Sequence, residues 1–373
     1  MATLQDPDRA REALRGWLAV KLGVAPGAVE ISPFETPAAG QSNITLMFDA
    51  RWPGNAADES AFVLRLQPRG THQIFLDPDI GREFHVMQAL HGTPVPVPRM
   101  LWLEPDPDLL GGSFCVMRRV PGTVAQGKPS HHVVGWLPTL EPRQRARLWR
   151  SALETLVAVH AIDWRAHHGF LAERLSGPPG LHSHLDHLAQ WYAWAARGRA
   201  FPITDAALDW LRARAAQVDA GEPVLVWGDA RIGNMIVGAD FNVAAALDWE
   251  LATLGPAGID LGYWLMMDAF HGEANGYRPL DGFPDRAQTI ETYERLSGRP
   301  MRAAVGYFTV MAAFFMAVTM IRQADAQVAA GRIAPDTTLA HANTFTQMLA
   351  RDLGMPVPEL SADFLRHRKV PAR

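Results

Sequence analysis

The chain has 373 residues, 48% of them hydrophobic and 20% charged, with a formal net charge of −4. That length suits two domains and leaves ample apolar material for a large core. The charge supplies no basic field for nucleic acid or an anionic membrane, and the single cysteine, Cys115, excludes an intramolecular disulfide and any all-cysteine metal site. A reducing cytoplasm fits that cysteine usage.

The first residues, MATLQDPDRAREALRGW, mix acids and arginines without an apolar run, so no signal peptide is expected. Residues 7–22 read as a helix with Leu14, Trp17, Leu18 and Leu22 on one face. Strand-like runs follow at 29–34, 43–48 and 61–66, the last being AFVLRL. Residues 79–90 read as a helix with Phe84, Met87 and Leu90 at helical spacing, stopped by VPVPR. Two more strands are expected at 99–103 and 113–120. Residues 1–120 thus predict a small antiparallel sheet with one long inserted helix, and PGT at 121–123 a hinge.

From 121 to 373 helices dominate, at 144–160, 181–196 and 205–218, interrupted by short strands at 223–226, 235–237 and 243–247. Residues 303–321 carry no charge and approach the ~20 residues of a membrane span. They are rich in Ala, Gly and Thr, so a buried helix of the larger domain is the expectation, with a membrane-anchored form as the alternative.

The informative stretch is VLVWGDARIGNMIVGADFNVAAALDWELATLGPAGIDLGYW, residues 224–264. A short apolar strand delivers Asp229 onto a loop, Asn234 follows five residues on, and Asp248 ends a second apolar strand after a GADFN turn. Two carboxylates and an amide are thereby offered at the open ends of a hairpin, and hard oxygen donors of this kind suit Mg²⁺. Kinase-type phosphoryl transfer needs such a set: an Asp for the acceptor hydroxyl, an Asn and a second Asp for metal. Arg231 is placed to steady charge on the transferring phosphoryl group.

On these residues the sequence resembles the aminoglycoside phosphotransferase and choline kinase-like superfamily. The nearer likeness is to the subgroup related to acyl-CoA dehydrogenase-associated kinase domains, over about residues 35–350. The resemblance implies an α+β, protein kinase-like two-lobed fold that binds ATP and Mg²⁺ between its lobes. It implies transfer of the γ-phosphate to a hydroxyl of a small molecule. Asp229 would be the catalytic base, Asn234 and Asp248 the metal ligands, and Asp260 the buried acid that ties down the loop backbone.

For the nucleotide, AAGQSN would be the phosphate-covering turn, with Gly40, Ser42 and Asn43. Arg65 would stand in the place of the phosphate-binding lysine with Glu83 as its partner, and Met117 to Val120, including Arg119, would be the adenine hinge. Three departures stand out. Trp227 replaces the motif histidine, Arg65 replaces a lysine, and the turn carries one glycine. The first two motivate the alternative of a nucleotide-binding pseudokinase. A hydroxylated acyl acceptor is suggested by the subgroup alone. No nucleic-acid or membrane partner is expected, and a homodimer stays open.

Two stretches are rich in histidine. In HSHLDHL, His184 and His187 share a helix face but His182 does not, so a solvated helix start or a substrate-pocket rim outweighs zinc. HHVVGWL at 131–137 has Trp136 and Leu137 where an acyltransferase motif needs Asp and Gly, which removes that reading.

Overall fold

The computed structural model describes residues 6–36, 43–56, 59–69 and 73–366. It divides into two compact units, one drawn from 1–71, 77–93 and 97–121, the other from 72–76, 94–96 and 122–373.

The first unit is a five-stranded antiparallel sheet with two helices. Its strands are β1 (Glu30–Ile31), β2 (Ile44–Arg51), β3 (Ala61–Pro68), β4 (Met100–Glu104) and β5 (Gly112–Arg118), in the order β1-β2-β3-β5-β4. Helix α1 (Pro7–Leu22) starts where it does because the Asp6 side chain accepts from Arg9 N at 3.1 Å and proline takes the first position. It stops at Gly23, in the left-handed region at φ 69°. Its apolar stripe, Ala10, Leu14 and Leu18, is fully buried with Phe48, Phe62, Leu64, Leu66, Phe114 and Val116 of the sheet. Phe48 and Phe62 stack at 5.4 Å, and Trp17 meets Phe114 edge-on at 5.0 Å. Burying side chains of this size contributes about 2–3 kcal/mol each, so this one face carries much of the unit's stability.

Strand alternation then dictates what the opposite face holds. With Phe62, Leu64 and Leu66 in that core, Arg65 points to the other side of β3. There lies α2 (Ile80–Leu90), capped by Asp79 and carrying Glu83 in its first turn. Residues 29–34, expected as one strand, pair at Glu30 and Ile31, and Ser32 N adds a bond to Asp49 O at 2.9 Å before the ladder stops. Pro33 has no N–H to give a ladder, and pairing resumes at the bridge between Glu35 and Met47.

The second unit is mainly helical: α3 (Pro142–His160), α4 (Trp164–His167), α5 (Leu181–Ala196), α6 (Pro202–Arg214), α7 (Gly258–His271), α8 (Arg286–Ser297), α9 (Val305–Ala329), α10 (Thr344–Asp352) and α11 (Ala362–Arg366). Two small sheets accompany them. One pairs β7 (Pro223–Val226) with β10 (Thr253–Pro256), and the other is β6 (Thr123–Val124), β8 (Met235–Val237) and β9 (Val243–Ala246). The expected hinge at 121–123 is therefore partly strand. Thr123 pairs with Val237, and Gly122 runs so close that a Cβ there would lie 2.5 Å from Val237 O. The β10 strand was not anticipated, because TLGP lacks the β-branched run that marks a strand.

Helix α9 is long and apolar enough to cross a membrane by length and composition, and most of it is buried within this unit. Its partner is α7, which approaches at two glycines: a Cβ at Gly262 would sit 2.5 Å from the Phe308 backbone, and one at Gly258 would enter the Phe308 ring. Arg322 is buried too. It donates to Gln73 O at 2.9 Å and 3.1 Å, pairs with Asp325 at 3.1 Å and lies over the Trp194 ring. The Trp191, Tyr192 and Trp194 stripe is thus largely packing, with Trp191 and Tyr192 buried.

Candidate active site

Strand β7 ends at Val226 and the chain enters a short loop, Trp227 to Asn234, before β8. Gly228 takes φ 91°, and a Cβ there would lie 2.5 Å from Leu251 O, so only glycine passes. Trp227, in the motif histidine's place, is fully buried. It donates from Nε1 to Leu247 O at 2.9 Å and stacks on Trp249 at 5.3 Å. It packs the loop, as its position suggested.

Below the loop is Asp260, in the first turn of α7 and 0% exposed. Its Oδ2 accepts from Trp227 N at 2.7 Å and its Oδ1 from Gly228 N at 2.8 Å. His160 Nε2 adds a third bond to Oδ2 at 3.0 Å, and His160 Nδ1 meets the Tyr293 hydroxyl at 2.6 Å. A carboxylate in the first turn also gains from the helix dipole. Asp260 therefore holds the loop backbone, as the resemblance implied. His160 and Tyr293 complete that anchor and were not singled out in the sequence.

The other end of the loop presents chemistry. Arg231 Nε donates to Asp229 Oδ1 at 2.9 Å, and Asn234 Nδ2 donates to Asp229 O at 3.0 Å. Burial pushes the Asp229 carboxyl up, but the Arg231 charge, with hydrogen bonds from Arg231 and Tyr263, outweighs it and holds the group below the usual carboxylate range. Burial alone would lower the Arg231 pKa. Asp229, Tyr263 and Asp248 together raise it instead, which sets Asp248 in the same electrostatic neighbourhood.

The hairpin explains that convergence. Met235 pairs with Ala246 and Leu247 N donates to Asn234 O at 2.8 Å, so Asn234 and Asp248 leave β8 and β9 at the same end. Asp248 itself takes φ 65°, a left-handed conformation that costs a non-glycine residue about 1–2 kcal/mol. Strain of that kind is concentrated at functional sites. Asp229, Arg231, Asn234 and Asp248 are thereby gathered, and Tyr263 joins them. Tyr263 lies one helical turn after Asp260 on α7, and that spacing was the available signal for it. Its hydroxyl pKa is pushed up by burial and then by Asp229.

Of the residues expected to serve a nucleotide, Arg65 and Glu83 pair at 3.2 Å within the first unit, Glu83 being wholly buried. Met117 is buried in β5 opposite Val63. Arg119 donates its amide to Ala61 O at 3.1 Å and its guanidinium to Asp49 at 2.6 Å. Asn43 immediately precedes β2, while Gly40 and Ser42 lie outside the described residues. Cys115 is buried beside this pair, its thiol pushed up by burial and then by Glu83, which makes it unreactive. The HSHLDHL histidines do not form a metal-ligand group among the described residues. The grouping lies instead at His131, His132 and Asp268.

Known proteins match this arrangement. Residues 44–298 fit the family model of the phosphotransferase enzyme family. The mouse acyl-CoA dehydrogenase family member 10 is 29% identical over 300 residues, covering 77% of this chain and 25% of that protein. Its chicken relative, acyl-CoA dehydrogenase family member 11, is 31% identical over 64% of this chain and 28% of its own length. The chain thus spans about a quarter of these relatives.

Among solved structures, a Ralstonia eutropha JMP134 protein, provisionally classed as an aminoglycoside phosphotransferase, superposes with TM-score 0.65 and 27% identity, covering 92% of this chain and 98% of that one. The APH(4)-Ia phosphotransferase in ternary complex with ADP and hygromycin B gives TM-score 0.55 at 14% identity, over 91% and 98%, which shows the shared fold. An antiparallel-sheet unit and a mainly helical unit, an Asp229 loop anchored by Asp260, and a family match across most of the chain together assign this α+β protein, of protein kinase-like phosphotransferase fold, to the phosphotransferase enzyme family.

Proposed function

We propose that this chain transfers the γ-phosphoryl group of ATP to a hydroxyl of a small molecule in a Mg²⁺-dependent reaction. The observation that carries this reading is Asp229, Arg231 and Asn234 on a loop whose backbone is fixed by Asp260, gathered with Asp248 at the end of the neighbouring hairpin. The donor set fits magnesium, because a carboxylate and an amide oxygen are hard ligands and Asn234 gives its N–H₂ to Asp229 O, so its oxygen is the atom it would offer a cation. Asn234 and Asp248 would hold that ion, which when bound neutralises charge on the phosphate oxygens.

Asp229 orients the acceptor hydroxyl. The acceptor oxygen–phosphorus bond forms, the bond from the γ-phosphorus to the β,γ-bridging oxygen breaks, and the acceptor proton passes to the Asp229 carboxylate as ADP leaves. A carboxylate held below its usual pKa is a weak base. Its main contribution is therefore positioning, with the proton moving late, as a loose phosphoryl transition state allows. Arg231 steadies the transferring charge. Arg65, kept extended by Glu83, would serve the nucleotide phosphates.

The acceptor is proposed to be a hydroxylated acyl compound rather than an aminoglycoside. The dehydrogenase-linked relatives support this. An aminoglycoside would need acidic groups for its ammoniums, and residues 125–200 carry no acidic run. The reducing cytoplasm suggested by the lone buried Cys115 suits such a reaction.

The experiment is ³²P transfer from labelled ATP to panels of hydroxyacyl compounds and aminoglycosides. Label should move to the first panel, and Asp229→Asn should lower the rate by at least ~100-fold with unchanged thermal stability. ATP binding without transfer to either panel would favour the pseudokinase, and transfer retained in Asp229→Asn would remove the base assignment.

A further inference from the structure

The second unit holds a polar cluster that phosphoryl transfer does not use. Residues 130–134 form a turn closed by Val133 N and Val134 N on Ser130 O, both at 3.1 Å. Ser130 Oγ donates to His271 O and accepts from His132 N, which fastens the turn to the end of α7. As a result the rings of His131 and His132 lie 4.4 Å apart, and His271 lies 4.6 Å from His131. One ligand-type atom from each of His131, His132 and Asp268 falls within 4.8 Å of the others.

We infer that this cluster is a binding site for a divalent metal of the zinc class, held by His131, His132 and Asp268. Two features support it. First, His131 Nε2, His132 Nε2 and His271 Nδ1 are buried nitrogens with no hydrogen-bond partner among the described residues, on residues at most 5% exposed. Buried polar atoms of that kind normally have partners, so three together need an explanation. Second, Asp268 brings a carboxyl group that pairs with no cationic side chain among the described residues.

Imidazole with carboxylate is a donor set for zinc rather than for magnesium. The guanidiniums set against a cation are Arg231 and Arg145, and Arg231 is already paired with Asp229. Leu280 N reaches His132 Nδ1 at 3.3 Å. That is a long hydrogen bond, and a metal on His132 Nε2 would put the ring proton on Nδ1 at the expense of that one contact. A metal here would clamp the turn to α7 beside Arg231. The competing account is a core of neutral imidazoles packed on Phe283, whose ring is 5.6 Å from His132.

The inference does not depend on the phosphotransfer reading. Its test uses the full chain, stripped with a chelator and titrated calorimetrically with Zn²⁺ alone, with metal content read by mass spectrometry. One equivalent of zinc per chain is expected, with a rise in Tm. Affinity should fall at least ~100-fold in Asp268→Asn and in His131→Asn. It should be unchanged when His182, His184 and His187 are all replaced by Asn. Failure of the folded wild-type chain to bind zinc stoichiometrically, or unchanged affinity in Asp268→Asn, would overturn the site. Should those variants not fold, X-ray absorption of the zinc-bound wild type decides instead. Imidazole scattering with N/O ligands at ~2.0–2.1 Å sustains the site, and its absence overturns it.

Discussion

Asp229 sits on the Trp227 to Asn234 loop and Asp260 in helix α7 against that same loop, yet their surroundings are opposite. Asp260 is fully buried, and its partners are two backbone amides and an imidazole that is itself held by Tyr293. Those amides cannot turn away without moving the loop. Asp229 keeps 15% of its side chain exposed, and its carboxylate is held by side chains, Arg231 and Tyr263, which can turn toward a ligand. A carboxylate that must fix a backbone is bonded by backbone. One proposed to meet a substrate is bonded by groups that can let go.

Removing each carboxylate breaks the comparison at a different point. Asp260→Ala strands two buried amides and His160, and should cost roughly 3–5 kcal/mol in chemical denaturation, enough to leave little folded protein. Asp229→Asn should leave denaturation curves within about 1 kcal/mol of wild type while turnover collapses. If Asp260→Ala stayed stable and lost only activity, the anchor would be misassigned.

A smaller effect tests the wall on which both carboxylates rest. Gly262→Ala drives a methyl to 2.5 Å from the Phe308 backbone, where α9 cannot yield locally, and should cost about 1–3 kcal/mol. Denaturant midpoints would read it, and an unchanged midpoint would mean that α7 and α9 are less tightly seated. The smallest effect belongs to the first unit. Arg65→Lys keeps the charge opposite Glu83 but loses the fork of the guanidinium, so stability should change by less than about 1 kcal/mol and ATP affinity by no more than about tenfold. A larger loss in ATP titration would show that the two-pronged geometry is what the nucleotide uses.

Much of this was legible because it is local. Asp229, Asn234 and Asp248 are spaced along one strand–loop–hairpin, and Asp260 follows at the start of the next helix, so their meeting could be read from order alone. The alternation of β3 sets Arg65 on the face away from Phe62. What escaped depended on distant packing. His160 reaches Asp260 only because α3 and α7 both border the loop, and nothing near His160 marks it. His131 and His132 were judged as a linear motif and set aside, whereas their partners His271 and Asp268 arrive from α7. Pro33 cut short a strand that hydropathy alone extended.

The account rests on a division of labour in which Asp229 handles the acceptor while Asn234 and Asp248 handle the metal. Electron paramagnetic resonance of Mn²⁺, used in place of Mg²⁺ and titrated in the presence of ATP, separates these roles. Asp229→Asn should bind Mn²⁺–ATP within about threefold of wild type, and Asp248→Asn should bind it at least ~10-fold more weakly. Equal binding by Asp248→Asn and wild type would contradict the assignment.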